Sequence, residues 1–214
     1  MLSFSSRSRQ LILRAAKRAL DLILSSVALL VASPLFLVIA LAIRFDDQGP
    51  VIFRQERIGR EGRVFVCLKF RSMIQDAETQ LEAWAQTNPE RFAAYWVNVK
   101  LKDDPRVTRV GKLLRKTSLD ELPQLFNVLR GDMSLVGPRP ISPGERDRYG
   151  PALASYVQVR PGLTGLWQVS GRSDCSFEER VKLDVQYVRT ESLRLYFWIL
   201  WETVPAVLQR KGAY

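Results

Sequence analysis

Leu22 to Ile43 reads LILSSVALLVASPLFLVIALAI, an uninterrupted run of 22 residues without a charge between Asp21 and Arg44. At about 1.5 Å per residue, a straight helix of this length reaches about 33 Å, which just matches a bilayer core of about 30 Å. The run is longer than the apolar region of a cleaved signal peptide, roughly 7 to 15 residues, so cleavage is the less favoured interpretation. The stretch therefore predicts a segment embedded in a membrane.

Ser33 and Pro34 stand at the centre of this stretch. Proline removes one backbone donor and crowds the carbonyl of Leu30, so we expect a kink or break there. Basic residues lie on both sides of the stretch, and the positive-inside rule would accept both ends on the cytoplasmic face. A re-entrant helix that bends at Ser33-Pro34 and returns satisfies both observations. A kinked helix that spans the bilayer is equally favoured by these patterns alone.

Composition limits the remaining possibilities. The chain has 214 residues and a net charge of +10, which predicts one domain with an appended segment and an anionic partner: phospholipid head groups, nucleic acid or a phosphorylated small molecule. It has no histidine and only two cysteines, Cys67 and Cys175, which disfavours a structural zinc site or a disulfide framework and fits a reducing cytoplasmic setting. A general base or nucleophile must then be a carboxylate, Lys, Tyr, Ser or Cys.

The soluble part is predicted to be mainly helical. Two β-rich runs, 51–58 and 63–70, flank a four-residue turn and predict a hairpin. Helices are predicted over 73–97 with a break at Asn88-Pro89, and over 110–116, 119–129 and 177–189. Residues 137–171 are rich in proline and glycine and predict turns and loops. The aromatic stretch 193–208 fits either a helix at the bilayer interface or an ordinary buried amphipathic helix.

Asp120 and Glu121 are adjacent carboxylates in a segment that is otherwise cationic. Ser118 and Glu121 match a capping box, and helix capping is the plainer interpretation of the pair taken alone. The cationic surroundings favour a second interpretation, a phosphate group bound beside the carboxylates. Because bare carboxylates repel phosphate, a divalent cation such as Mg²⁺ would bridge the two, and metal-assisted phosphoryl transfer follows. A carboxylate can also attack phosphorus directly.

Pro138-Arg139-Pro140 restricts the backbone on both sides of one arginine, which would aim its guanidinium at a phosphate with little loss of entropy. A stiff surface turn is the plainer interpretation of this tripeptide alone. Lys69, at the exit of the predicted hairpin, is weak evidence for phosphate binding by itself.

Together these segments resemble the bacterial sugar transferase family, the monotopic phosphoglycosyl transferases. The matching residues are Ser33-Pro34 in the apolar stretch, 69–73 (KFRSM), 114–124 (LRKTSLDELPQ), 131–140 (GDMSLVGPRP) and 160–165 (RPGLTG). The resemblance covers nearly the whole chain, and its long motifs occur in the family's order.

The resemblance implies transfer of a sugar 1-phosphate from a UDP-sugar to undecaprenyl phosphate, with release of UMP. By the family pattern, Asp120 is the nucleophile that carries a covalent phosphosugar, and Glu121 assists through metal binding or proton handling. Asp120 and Glu121 would hold the expected cofactor, Mg²⁺. Arg115, Arg139 and, with less support, Lys69 would contact phosphate.

The family also implies an α+β fold, mostly helical with a small β-hairpin and interfacial amphipathic helices. Residues 1–46 would form the re-entrant helix-break-helix with its break at Ser33 and Pro34, and residues 47–214 a membrane-associated catalytic domain on the cytoplasmic face of the bacterial inner membrane. The segment 78–102 and the ending 211–214 look like the hexose-transferring branch and point to UDP-glucose or UDP-galactose.

The expected setting is the first membrane step of polysaccharide or glycoconjugate synthesis, such as exopolysaccharide or O-antigen. Anionic membrane lipids and downstream glycosyltransferases are the further expected partners, nucleic acid is not expected, and a homo-oligomer is left open. The alternative function is a membrane-tethered, non-catalytic scaffold that binds anionic lipid or nucleic acid through its charge.

Overall fold

The computed structural model describes residues 6–87, 104–170 and 176–208. Within them, the helices are α1 Ser6–Asp46, α2 Ala77–Thr87, α3 Arg109–Thr117, α4 Gln124–Arg130, α5 Leu153–Tyr156, α6 Leu166–Ser170, α7 Phe177–Thr190 and α8 Leu193–Leu208. The strands are β1 Ile52–Ile58, β2 Val64–Phe70, β3 Ser134–Val136 and β4 Gly162–Thr164. Short 3₁₀ turns link several of these elements. The fold is mostly helical with a small antiparallel hairpin, as the sequence predicted, and it has a second, parallel strand pair that was not predicted.

Helix α1 is the one helix in the described part of the chain that is long and apolar enough to cross a membrane. Its helical hydrogen bonding continues through Pro34, which lacks the N–H that Leu30 would normally accept. The hydroxyl of Ser33 donates to the carbonyl oxygen of Leu30 at 2.8 Å instead. The Ser33 hydroxyl thus replaces the hydrogen-bond donor that Pro34 removes. This matters in an environment where no water can donate to the Leu30 carbonyl.

The N-terminal half of α1 is fastened to the rest of the protein by buried polar contacts. Asp21 is 1% exposed and accepts hydrogen bonds from the backbone N–H of Leu135 and the hydroxyl of Tyr196, each at 2.9 Å. Lys17 donates to the hydroxyl of Tyr187 at 2.7 Å. A charged residue buried this deeply in an apolar helix is tolerated because its partners replace water.

The C-terminal half of α1 also packs against the rest of the protein. Ile39 and Ile43 are buried in a cluster with Phe70 and Leu114. Asp46, the last residue of the helix, accepts a hydrogen bond from the backbone N–H of Val110 at 2.9 Å. Residues on both sides of the uncharged stretch therefore contact the rest of the protein, whereas Ser33 and Pro34 are exposed.

The hairpin forms as predicted. Strands β1 and β2 pair antiparallel, with Arg57 opposite Phe65, Gln55 opposite Cys67 and Phe53 opposite Lys69. Because side chains alternate between faces, Arg57, Cys67 and Lys69 lie on one face of the hairpin. Asn127 of α4 fixes its free edge by accepting from the N–H of Leu68 at 2.9 Å and donating to the carbonyl of Val66 at 2.7 Å.

Strands β3 and β4 form a parallel pair. Strand β4 lies inside the segment 137–171 that was predicted to be turns and loops, and β3 directly precedes that segment. They approach so closely that a Cβ atom on Gly137 would lie 2.4 Å from the carbonyl oxygen of Arg160, and one on Gly162 would lie 2.1 Å from the N atom of Gly137. The glycines of the motif are thus needed for backbone packing. Strand β3 ends two residues before Pro138, so the β3–β4 pair fixes where the Pro138-Arg139-Pro140 segment begins.

The remaining boundaries agree with the sequence in part. Helices α3, α7 and α8 lie where they were predicted. The single helix predicted over 119–129 is instead a 3₁₀ turn, Leu119–Glu121, followed by α4. The helix ends as predicted at Gly131, whose φ of 91° is easily adopted by glycine. The Asn88-Pro89 break, most of the segment 78–102 and the ending 211–214 lie outside the described residues.

Candidate active site

The acidic pair is presented by an unusual turn. Ser118 has a left-handed backbone, with φ 57° and ψ 16°, and its N–H donates to carbonyls at the end of α3. Its side chain caps no N–H of the following turn. The predicted capping box at Ser118 is therefore wrong, because this residue ends the preceding helix and its N–H is already bonded there. Asp120 and Glu121 sit in the 3₁₀ turn Leu119–Glu121, between α3 and α4.

Glu121 is held by two of the predicted phosphate-binding cations. Its Oε1 atom accepts a hydrogen bond from Lys69 Nζ at 3.0 Å and lies 3.7 Å from Nη1 of Arg139. Burial alone would raise the pKa of Glu121, but the charges of Lys69 and Arg139 and the Lys69 hydrogen bond outweigh it and bring the pKa to about 2. Glu121 is therefore a fixed anion at neutral pH and cannot donate a proton there.

Asp120 has the opposite environment. No ion pair with Asp120 within 4 Å is found in the described part of the chain. Burial, followed by the negative charge of Glu121, raises the pKa of Asp120 to about 6, against the weaker opposing charges of Lys69 and Arg115. The two adjacent carboxylates thus differ. Glu121 is neutralised by cations, whereas Asp120 is more basic and more nucleophilic and is still mostly ionised at pH 7.

Arg115 approaches from the C-terminal end of α3. Its Nε donates to the hydroxyl of Ser72 at 2.9 Å, and its positive charge acts to lower the pKa of Asp120. The structure thus places all three predicted phosphate-binding cations around the acidic pair, with Lys69 and Arg139 on Glu121 and Arg115 on the side of Asp120.

Arg139 is positioned from three directions. Prolines flank it, and the hydroxyl of Tyr156 lies 3.3 Å from its carbonyl oxygen. Its guanidinium carbon is 5.8 Å from the centre of the Trp167 ring, a cation–π distance. Arg180 stands 5.2 Å from the same ring. The predicted rigidity of the Pro-Arg-Pro tripeptide is thus extended by an aromatic contact that sequence reasoning missed.

A pocket opens beside Glu121 between the hairpin and the β3–β4 pair. Its lining includes the predicted residues Lys69, Glu121 and Arg139, together with Arg57, Cys67, Gln124, Pro140, Gly162, Leu163 and Gln168. Sequence reasoning did not identify Arg57 as a site residue. The signal was present, because strand alternation in a hairpin puts Arg57 on the same face as Lys69.

The carboxylates fit a metal bound together with substrate. No group of three or more His, Cys, Asp or Glu side chains that could hold a metal ion is found among residues 6–87, 104–170 and 176–208. Mg²⁺ commonly uses one or two carboxylates and completes its shell with water and substrate phosphates. Asp120 and Glu121 supply that number of ligands, which suits Mg²⁺ held jointly with a diphosphate.

Comparison with known proteins gives a consistent result. Residues 12–210 match the model of a family described as bacterial sugar transferase. The exopolysaccharide production protein ExoY of Rhizobium meliloti is 49% identical over 199 residues, which cover 93% of this chain and 88% of that protein.

Two further relatives carry more specific names. The undecaprenyl-phosphate galactose phosphotransferase of Salmonella typhimurium is 47% identical over 201 residues, 94% of this chain but only 42% of that protein. The UDP-glucose:undecaprenyl-phosphate glucose-1-phosphate transferase of Caulobacter vibrioides is 41% identical over 206 residues, 92% of this chain and 72% of that protein. The names of these two relatives share undecaprenyl phosphate as the lipid acceptor and differ in the sugar.

Proposed function

The chain belongs to the bacterial sugar transferase family, and from this premise we propose that it is a phosphoglycosyl transferase that moves a sugar 1-phosphate from a UDP-sugar to undecaprenyl phosphate and releases UMP. The observation that carries the proposal is the asymmetry of the acidic pair, in which Glu121 is neutralised by cations and Asp120 is basic and free of ion pairs within the described residues. A scaffold that binds lipid through charge alone has no need of this arrangement.

The reaction proceeds in two displacements. A carboxylate oxygen of Asp120 attacks the β-phosphorus of the donor, the bond from that phosphorus to the bridging oxygen breaks, and UMP departs with the electron pair. An oxygen of the lipid phosphate then attacks the same phosphorus, and the Asp120 carboxylate leaves. The raised pKa of Asp120 favours the first attack, and the positive charges of Lys69 and Arg115 stabilise the negative charge that builds on phosphate.

Glu121 organises the cations. By pairing with Lys69 and Arg139 it fixes the two groups that contact the transferred phosphate, and its lowered pKa argues against the proton-handling role. Bound Mg²⁺ would supply charge neutralisation between the carboxylates and the diphosphate. Asp120 and Glu121 are the residues that would hold it.

We propose that α1 is re-entrant and does not span the bilayer. A helix that crossed would carry one end of the 22-residue stretch about 33 Å from the other, onto the opposite side of the membrane. Asp21 precedes the stretch and Asp46 follows it, yet both are hydrogen-bonded to the same soluble domain. That contact pattern supports both ends on the cytoplasmic face of the inner membrane.

Helix α8 is proposed to lie in the membrane interface. Tyr196 and Ile199 are fully buried in the core, whereas Phe197, Trp198 and Trp201 are 51%, 45% and 76% exposed. An exposed aromatic face of this kind is characteristic of contact with lipid head groups. Anionic lipids would be attracted by the net charge of +10.

The sugar is proposed to be glucose or galactose, for synthesis of exopolysaccharide or a similar surface glycan. Relatives are named for each of these sugars, which supports a hexose without choosing between them.

The decisive experiment measures UMP release from a panel of UDP-sugars by the full-length protein in detergent with Mg²⁺ and undecaprenyl phosphate. Asp120→Asn should abolish release, while Asp76→Asn, an exposed carboxylate outside the site, should retain it. With labelled UDP-sugar and no lipid, the wild type should retain label on Asp120. Full activity of Asp120→Asn would disprove the nucleophile. Salt-sensitive lipid binding without any UMP release would favour the scaffold.

Topology is tested separately by cysteine labelling in intact cells, in a background without the two native cysteines. Gln10→Cys and the highly exposed Arg63→Cys flank the apolar stretch. A re-entrant helix makes both react on the cytoplasmic side, and reaction on opposite sides would establish a spanning helix.

A further inference from the structure

Arg57 is a largely buried cation to which the proposed chemistry assigns no role. It lies on the hairpin face that carries Lys69 and lines the pocket beside Glu121. Its side chain is only 14% exposed. Its Nη2 donates to Gln55 at 2.5 Å, and its Nη1 lies 3.5 Å from both the carboxylate of Glu145 and the carbonyl of Pro140. The two Nη1 contacts are long, so Arg57 is only weakly engaged on the side of Glu145.

The pocket holds more positive charge than its own carboxylates balance. Arg57, Lys69 and Arg139 line it, and Glu121 is the acidic residue of the lining. Glu121 already serves both Lys69 and Arg139, while Glu145 is shared between Arg57 and Arg180. Burial, followed by repulsion from Arg139, lowers the pKa of Arg57, which means that the site destabilises this cation until an anion arrives.

We propose that Arg57 binds the phosphate that leaves with the nucleoside, so that the pocket holds the nucleoside monophosphate half of the donor. This assignment rests on the proposed function, because it takes the attacked phosphorus to lie at Asp120. The leaving phosphate shares a bridging oxygen with the attacked one. It must therefore lie close to Arg139, on the side where Arg57 is the next cation of the lining.

This position gives Arg57 a role in the transition state. As the bond to the bridging oxygen breaks, negative charge accumulates on the leaving phosphate, and a preorganised guanidinium fork is suited to receive it. The same contact would hold UMP after the first displacement. Arg57 is thus expected to govern both the rate of the first step and the affinity for UMP.

The test compares binding of UMP and of uridine to full-length protein in detergent. In Arg57→Gln the dissociation constant for UMP should rise about tenfold or more, while that for uridine stays unchanged. Arg54→Gln is the matched control, since Arg54 lies three residues away on the opposite, exposed face of the same strand, and its UMP affinity should equal that of the wild type. Equal UMP affinity in Arg57→Gln and Arg54→Gln would overturn the assignment.

A purely structural role for Arg57 makes a different prediction. Glu145→Gln breaks the same ion pair, so it should weaken UMP binding as much as Arg57→Gln does if the pair only supports the fold. The phosphate-binding role predicts that Glu145→Gln retains UMP affinity. If Arg57→Gln fails to fold, Arg57→Lys carries the test, because it keeps the charge but loses the fork and should still weaken UMP binding severalfold. Unchanged affinity in Arg57→Lys would then refute the role.

Measurements of UMP release separate a failure of the proposed function from a failure of the role assigned to Arg57. If the wild type releases no UMP from any UDP-sugar, the proposed function is wrong whatever Arg57 does. If the wild type releases UMP and Arg57→Gln releases it at the same rate with the same product inhibition by UMP, only the assignment of Arg57 fails.

Discussion

Replacing Glu121 with Gln should move the acid limb of the donor half-reaction to lower pH. The pKa of Asp120 stands at about 6, against an ordinary value of 3.8, and burial is a larger cause than the charge of Glu121. Removing the charge of Glu121 takes away the second of these two causes, and a shift of one pKa unit corresponds to about 1.4 kcal/mol. Since Asp120 must be ionised to attack, the wild-type rate should fall below about pH 6, and the variant should remain active to a lower pH.

The assay is UMP release in a single turnover without lipid acceptor, from pH 4.5 to 8, analysed as kcat/KM for the UDP-sugar so that the profile reports the free enzyme. The absolute rate of Glu121→Gln will be lower than that of the wild type, so only the pH at which the acid limb falls is diagnostic. Asp184 is the necessary control, because burial raises its pKa to about 6 as well. Asp184→Asn should leave the limb in place. An unchanged or higher limb in Glu121→Gln, or loss of the limb in Asp184→Asn, would refute the reasoning.

Four stability predictions follow from other contacts, each measured by thermal unfolding in detergent or nanodiscs. Ser118→Gly should stabilise the protein by about 1 kcal/mol because glycine adopts the left-handed turn without strain, whereas Ser118→Ala should not; a loss in Ser118→Gly would restore the capping interpretation. Asp21→Ala should cost about 2 to 4 kcal/mol by leaving two buried donors unpaired, and a loss below 1 kcal/mol would contradict this. Ser33→Ala should cost about 0.6 kcal/mol by exposing the Leu30 carbonyl to lipid, with Ser33→Thr as the rescuing control. Asp184 binds its proton more tightly in the folded state, so its ionisation lowers the stability of the wild type as pH rises from about 4 to 6. Across that window Asp184→Asn should gain up to about 3 kcal/mol of unfolding free energy relative to the wild type. A difference in unfolding free energy that stays constant with pH would contradict the raised pKa.

Elements with a strong local signal were predictable. The hairpin has alternating side chains and a glycine-flanked turn, and α8 has its aromatic cluster, so both appear at the expected residues. The pairing of β3 with β4 was not predictable, because three-residue strands in a region rich in glycine and proline carry no periodicity. Their partners, Ser134 and Gly162, are also far apart in sequence.

The candidate site was predicted in its members but not in its arrangement. Asp120, Glu121, Arg139 and Lys69 do come together. The sequence could not show that Lys69 and Arg139 both bind Glu121, so that Asp120 has no ion pair among the residues that the structure describes. The capping box failed for a related reason. Its spacing at Ser118 is correct, but the preceding helix ends at that residue and uses its N–H, which a local pattern cannot reveal.

The membrane helix and the acidic pair are connected more directly than their separation in sequence implies. The ring of Phe36, two residues beyond Pro34, lies 6.0 Å from the ring of Phe126 in an edge-on contact. Phe126 follows Glu121 by five residues, a rise of at most about 10 Å along the 3₁₀ and α-helical turns. If Phe36 lies at membrane depth, the acidic pair is held within reach of the head-group layer, where the phosphate of a polyprenyl lipid resides. Phe126→Ser should therefore impair transfer to lipid while leaving UMP release in the first half-reaction intact, and equal loss in both half-reactions would show that the contact serves folding instead.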